Sequence, residues 1–308
     1  MSTQTSLISG TAMTPLRKIT ALGKKRIPRV LFILAAIIML SFYVYAFHYE
    51  PYMITIRHEE VFLDCWNQEH DGLKAVIISD IHQLKTPRHL KRLEQIIELA
   101  NRENPDLIFL LGDFMGHHIT DWNEHTQPEE ITAPLARLKN RYGVFAVLGN
   151  HDWWFNGRLM RKALEKAGIR VLENEFVEVD VLGKTFSIAG LPDKKTRNYK
   201  LDLQKLRKVS EPAILLSHNP DYFRELQLPG ELMLSGHTHG GQIALPIIGA
   251  IMVPSKYGKK HISGWSYLGD RKLFVTIGTG NSIINARFLC PPEIVVMTLR
   301  AASSKQER

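Results

Sequence analysis

Apolar positions along the chain form one long block and then many short ones. The long block, residues 30–47, is eighteen apolar, small or aromatic residues without a charge. That is near the shortest length able to span the hydrocarbon core of a bilayer. Tyr43, Tyr45 and Phe47 gather at its far end, as an interfacial aromatic belt does. The short blocks cover residues 73–78, 107–111, 144–148, 213–216 and 231–234, the length of buried strands. Thr86-Pro87 predicts a helix start, with a capping hydroxyl and a proline in the first turn. Leu90, Leu93, Ile96, Ile97 and Ala100 give that helix one apolar face, and Asn104-Pro105 ends it. Further helices are predicted over 129–138, 157–167 and 201–207. Strand patterns cover 171–172, 176–181 and 185–191, and 273–277 and 294–299 read as closing strands. Strands alternating with helices describe an α/β domain. The expected organisation is a basic disordered tail over 1–29, an anchor over 30–47 and a connector with one strand (54–63) over 48–72. The domain proper follows over 73–299, with a polar tail over 300–308.

With 308 residues and 44% apolar content, a sizeable core is available. The formal charge of +8 would suggest a nucleic-acid partner if it were spread over the domain. Six of the basic residues are Arg17, Lys18, Lys24, Lys25, Arg26 and Arg29, and no acid precedes residue 30. The rest of the chain is close to neutral, so no nucleic-acid partner is expected. The same asymmetry predicts a single-pass inner-membrane protein with a cytoplasmic amino terminus and an extracytoplasmic domain. Two other readings stay open. One is a signal peptide cleaved near Val44-Tyr45-Ala46; the other is a helix that dips into one leaflet and leaves the domain cytoplasmic. Cys65 and Cys290 are too few for a disulfide framework or a cysteine zinc site; both are expected to be inert buried thiols, with a single bridge between them left open.

The short apolar blocks share one property: each ends in side chains that bind metals. In chain order these are Asp80 and His82, then Asp113, then Asn150 with His151 and Asp152, then His218, then His237 and His239. In α/β sheets the carboxyl ends of strands gather at one edge, where ligands bind. Imidazoles and carboxylates converging there point to a metal centre. His117, His118 and His125 show no such spacing and read as a solvated loop. Lys194, Lys195, Arg197, Lys256, Lys259, Lys260 and Arg287 are candidates for phosphate contact. The Gly278-Thr279-Gly280-Asn281 turn is a candidate source of N–H groups for an anion.

Taken together, Asp80-x-His82, Gly112-Asp113, Gly149-Asn150-His151-Asp152, His218 and Gly236-His237-Thr238-His239 resemble the signature of the calcineurin-like metallophosphoesterase family. The resemblance covers about residues 73–299, and the 236–242 segment with the amino-terminal block is similar to its bacterial membrane-associated YaeI/YkuE-type branch. It implies an α/β fold, a four-layer αββα sandwich of two mixed β-sheets flanked by helices, with an N-terminal transmembrane helix. It also implies two divalent metal ions (Mn, Fe, Zn or Ni). Asp80, His82 and His239 would hold one, Asn150, His218 and His237 the other, and Asp113 would bridge them. His151 would face the scissile group, with Asp152 orienting it. The implied activity is hydrolysis of a phosphodiester or pyrophosphate through a metal-activated hydroxide. The implied partners are a phosphoester substrate, lipid-linked or not, and the membrane. One substrate of that branch, UDP-2,3-diacylglucosamine of lipid A synthesis, is made in the cytoplasm and conflicts with an outside domain. A metal-stabilised binding module without catalysis is the alternative; a complete ligand set argues against it. Oligomeric state is not legible.

Overall fold

The computed structural model describes residues 16–116, 126–196 and 200–302, and divides into two units between Tyr45 and Ala46. In the first unit α1 (Leu16–Val44) is one continuous helix. Residues Arg29–Tyr52, with mean hydropathy 2.5, are long and apolar enough to cross a membrane. The helix starts well inside the stretch expected to be disordered. Leu, Lys, Arg and Ala are good helix formers, and once the apolar turns nucleate a helix each further residue adds a hydrogen bond at little cost.

The second unit begins with a π-helical turn and a short 3-10 turn, Glu50–Tyr52. Then follow β1 (Thr55–Leu63), β2 (Leu73–Ile78), α2 (Pro87–Arg102), β3 (Leu107–Leu110), α3 (Pro128–Leu135) and β4 (Gly143–Ala146). The chain continues through α4 (Asn150–Phe155), α5 (Gly157–Lys166), β5 (Arg170–Val171), β6 (Glu175–Val181), β7 (Lys184–Gly190), α6 (Leu203–Leu206) and β8 (Ala213–Ser217). It closes with α7 (Tyr222–Glu225), β9 (Leu232–Ser235), β10 (Ala244–Leu245), β11 (Gly249–Ala250), β12 (Gly264–Leu268), β13 (Arg271–Val275) and β14 (Glu293–Ala301). One six-stranded sheet has the order β1-β14-β2-β3-β4-β5, the other β12-β13-β9-β8-β7-β6. Both are mixed: β2, β3, β4 and β5 are parallel beside an antiparallel β14, and β7, β8, β9 and β13 are parallel between antiparallel β6 and β12.

The layers follow from the two-residue period of a strand. Ala75, Ile77, Leu107 and Phe109 point inward and pack with Phe186, Ile188, Ile214 and Leu216 of the second sheet. Their neighbours Val76, Ile78, Ile108 and Leu110 point outward, onto Leu93 and Ile96 of α2, Ile131 of α3 and Met160 of α5. On the other outer face Ala213, Leu215 and Met233 pack with Leu206 of α6 and Phe223 of α7. The result is a four-layer αββα sandwich. Because both faces of the central strands are covered, they read as unbroken apolar runs.

Three expectations need correction. The strand expected within residues 48–72 forms as β1, but it belongs to the domain and not to a connector: it pairs in parallel with β14 along its whole length, Thr55 with Glu293 through Leu63 with Ala301. As an edge strand it buries only Val61 and Leu63, so its apolar signal is thin. β14 reaches into the expected tail. β12, with Trp265 and Tyr267, had no recognisable strand pattern. Cys290 is buried, but Cys65 is exposed beyond the end of β1; both are free thiols.

Candidate metal centre

The carboxyl ends of β2, β3 and β4 in one sheet and β8 and β9 in the other meet at one edge. Backbone hydrogen bonds join their loops: Asp80 N to Gly112 O (3.0 Å), His82 N to Asp113 O (3.0 Å) and Gly236 N to His218 O (3.1 Å). The sheets are bridged by His237 N, which donates to the Asp80 carboxylate at 3.1 Å. Asp80, His82, Asp113, His237 and His239 all have positive φ, between 44° and 71°. That backbone is costly for a residue with a side chain and concentrates at functional sites. Here it turns five polar side chains toward one point. Glycine is obligatory at position 236, where a Cβ would collide with Ser79 Oγ and the Asp80 carboxylate.

Asp113 sits at the centre. Its Oδ2 lies 3.2 Å from His218 Nε2, 3.5 Å from His82 Nε2 and 4.0 Å from His151 Nε2. Asp80 Oδ1 is 3.3 Å from His239 Nε2, and the Nε2 atoms of His82 and His239 are 3.1 Å apart. His237 Nδ1 is 3.1 Å from His218 Nε2. Ligand-type atoms form three compact, overlapping sets, each able to hold a metal ion: Asp80, His82 and His239; Asp113, His218 and His237; and His82, Asp113 and His151.

The tautomers support that fit. His218 Nδ1 faces the Leu111 carbonyl at 2.7 Å and His237 Nε2 faces the Pro254 carbonyl at 3.1 Å. A carbonyl only accepts, so each of these nitrogens carries the hydrogen. The other nitrogen of each ring is left facing the site, as outer carbonyls orient metal-binding imidazoles. Asn150 Oδ1 is buried with no hydrogen-bond partner, which fits an oxygen that ligates a cation. Burial pushes His82, His237 and His239 well below the usual imidazole range, leaving neutral donors. Burial also disfavours charge on Asp113, but His218, His151 and His82 outweigh it and hold its carboxyl well below the usual range. Burial would lower His218 too, but Asp113 lifts it to about 10. Asp80, buried and near Asp113, is pushed up to about 6. An ionised carboxylate among imidazoles, three of them neutral and His218 free to give up its proton to a metal, is the donor set of a divalent transition metal.

Asp152 does something other than orient His151. Its two oxygens accept the backbone N–H groups of Asp113, Phe114, Met115 and Gly149 at 2.9–3.0 Å. His151 Nε2 has Ser282 Oγ at 3.3 Å, and its ring lies 4.4 Å from that of Trp154. Neither Ser282 nor Trp154 carried a signal in the sequence. His151, Asp113, Asn150, His237 and His239 line a cleft of about 350 Å³, together with Lys195. The other basic candidates divide. Lys194 pairs with Glu225 and Asp221, and Lys256 with Glu225; Lys259 and Lys260 are exposed. Arg287 is no phosphate contact: it is fully buried and donates to the carbonyls of Ile277, Gly278, Gly280 and Cys290. The 278–281 turn has no spare donors for an anion at its start either. Its Gly278, Thr279 and Gly280 N–H groups go to Thr276 Oγ1, Ser79 O and Asp80 O. His117, His118, His125 and Arg197 lie outside the described residues.

Comparison with known proteins adds the following. Residues 73–241 match the profile of the calcineurin-like phosphoesterases. The chain is 34% identical to the uncharacterized metallophosphoesterase YkuE of Bacillus subtilis (strain 168), over 85% of this chain and 91% of that protein. It is 29% identical to the phosphodiesterase YaeI of Escherichia coli (strain K12), over 79% of this chain and 87% of that one. A transmembrane protein with a metallophosphoesterase domain from Danio rerio is 30% identical over 75% of this chain and 54% of its own length.

Proposed function

Because the chain belongs to the calcineurin-like phosphoesterase family and is a phosphoester hydrolase, we propose that it cleaves a phosphodiester or pyrophosphate with two divalent metal ions in its cleft. Asp80, His82 and His239 would hold one ion, Asn150, His218 and His237 the other, and Asp113 would serve both. The observation that carries this reading is Asp113 itself, with its Oδ2 3.2–4.0 Å from three imidazoles. When bound, such a pair of ions supplies a nucleophile from water near neutral pH and neutralises phosphoryl charge.

The protein's own groups do the rest. Asp152 holds the loops of Asp113 and Asn150 in place through four N–H bonds. His151 lines the cleft and groups with His82 and Asp113; in this reading it is kept for the substrate and not for a metal. It donates a proton from its ring to the leaving oxygen, with Ser282 Oγ within reach to orient it. Lys195 at the wall offers positive charge to the phosphoryl group. The name phosphodiesterase borne by the E. coli relative favours a diester over a monoester.

The amino-terminal helix tethers the domain to a membrane, and the six basic residues before residue 30 put the domain on the non-cytoplasmic side. Hydrolysis of bis-p-nitrophenyl phosphate tests the catalytic reading. The full chain in detergent would be assayed with Mn, Fe, Zn and Ni in turn, against p-nitrophenyl phosphate as the monoester. Turnover of the diester with two ions per chain is expected. Stoichiometric metal without turnover of either ester would instead support a binding module.

A further inference from the structure

The rim of the cleft is apolar and faces outward. β10 and β11 form a two-rung hairpin, pairing Ala244 with Ala250 and Leu245 with Gly249. Its turn carries Ile247 and Ile248, fully and 65% exposed, and Ile251 and Met252 continue it at 62% and 70%. Ile283 and Ile284 of the loop beyond β13 are also exposed, and like Ile251 and Met252 they line the cleft. Hairpin and loop are one surface: Ala244 N donates to Phe288 O at 2.8 Å, and the Gln242 amide donates to Ser282 O and Ile284 O. Ile247 and Ile283 have φ of 69° and 67°, a costly backbone for a β-branched residue. At both places the strain presents an isoleucine to the outside. A contiguous exposed apolar patch marks an interaction surface.

Two further observations identify what it meets. Lys259 reaches over the hairpin turn to donate to Ile248 O at 2.8 Å. Lys259 and Lys260 are both exposed, with no carboxylate partner among the described residues. The same loop also holds the chain at the end of its apolar block and just beyond it. Ala46 O accepts from Arg287 N at 2.9 Å, the Glu50 carboxylate accepts from Leu289 N and Cys290 N, and Asn285 donates to Tyr52 at 2.9 Å. Three residues of chain, Ile284 to Arg287, reach at most about 11 Å. The domain therefore departs toward its tether close to the mouth of its cleft.

We propose that the 245–252 hairpin and the 283–289 loop dock on an anionic bilayer, isoleucines in the interfacial layer and Lys259 and Lys260 on lipid phosphates, so that the cleft opens at the membrane surface. This rests on the membrane tether proposed above. Apolar side chains backed by lysines suit such a surface, and a tether keeps that surface permanently within reach.

The test uses the full chain with Cys65→Ser and a nitrobenzoxadiazole dye on Ile247→Cys, with Ile248→Cys as a second site. Leu182→Cys is the control. It is 80% exposed in the β6–β7 turn, and because β7 runs parallel to β8 that turn lies at the sheet edge opposite the site. The protein is reconstituted into phosphatidylglycerol–phosphatidylcholine vesicles carrying a spin-labelled quenching lipid. Dyes at 247 and 248 should be quenched severalfold more than the dye at 182. Lys259→Gln and Lys260→Gln should each lower the docked-to-undocked ratio about fivefold in these vesicles, and not in pure phosphatidylcholine. Equal quenching at 247 and 182 in vesicle-bound protein would overturn docking alone. Protein that does not float with vesicles would overturn the tether and docking together. A blue-shifted but unquenched dye at 247 in a dimeric protein would assign the face to a second copy and overturn the proposal.

Discussion

The carboxylate of Asp152 grips the backbone of Asp113: its Oδ2 accepts the Asp113 N–H at 2.9 Å. The same side chain takes Phe114, Met115 and Gly149, so one residue ties the β3 loop to the β4 loop. Asp152→Ala leaves four buried donors without their partner, at about 1–3 kcal/mol each before water enters. A clear fall in Tm is expected, together with loss of metal, although Asp152 lies in neither ligand set. Scanning calorimetry and elemental analysis check this. Native Tm with full metal content would show that the clamp is dispensable.

Asp113 stands between the two ligand sets. Asp113→Ala should abolish turnover and bring bound metal well below two per chain. Elemental analysis of the purified variant decides it, and a full complement of metal would remove Asp113 from the bridging role.

His151 lines the cleft within ligand distance of His82 and Asp113, yet the proposed ligand sets are full without it. His151→Ala should keep its metal and lose about 10²–10⁴-fold in rate, the usual range for proton transfer. The loss should be smaller for a nitrophenolate, which leaves as an anion, than for an alkoxide, which needs the proton. A leaving-group series that falls uniformly would point to charge stabilisation without proton donation.

Glu173 gives the fold a pH dependence of its own. It is buried and accepts one hydrogen bond from Trp153 Nε1 at 3.1 Å; its second oxygen has no hydrogen bond and lies 3.7 Å from Arg161 Nη1. Burial pushes its carboxyl from 4.5 up to about 7. The folded state therefore holds the proton more tightly than the unfolded chain. That contribution is complete below about 4.5 and lost as pH rises to about 7, roughly 3 kcal/mol across the window. Denaturant unfolding at pH 5 and pH 8 should show this loss in the native protein and a flatter response in Glu173→Gln. Identical slopes would exclude Glu173 as its source.

Membrane orientation has a direct test. A reporter active only outside the cytoplasm, fused after residue 308, should give signal if the basic residues ahead of the apolar block stay inside. Signal from a cytoplasm-specific reporter instead would reverse the orientation and bring cytoplasmic nucleotide-linked lipids back as substrates.

What the sequence determined by itself is local. Unbroken apolar runs mark β2, β3 and β8 as strands covered on both faces. Thr86 caps α2 by accepting from His89 N. The polar residues that end each apolar run are those the structure brings to one edge, because parallel strands place their carboxyl ends together. What only the tertiary structure decided is pairing and satisfaction over long range. β1 finds its partner β14 across nearly the whole chain, which no local period reports. Arg287 looks like a surface charge, yet it is buried by carbonyls that the fold brings around it. Asp152 stands beside His151 in sequence, but its carboxylate turns to the backbone of another loop, because buried N–H groups must be matched. The apolar rim of the cleft comes from two segments, 243–252 and 282–284, that meet because β9 and β13 lie side by side and parallel in the second sheet.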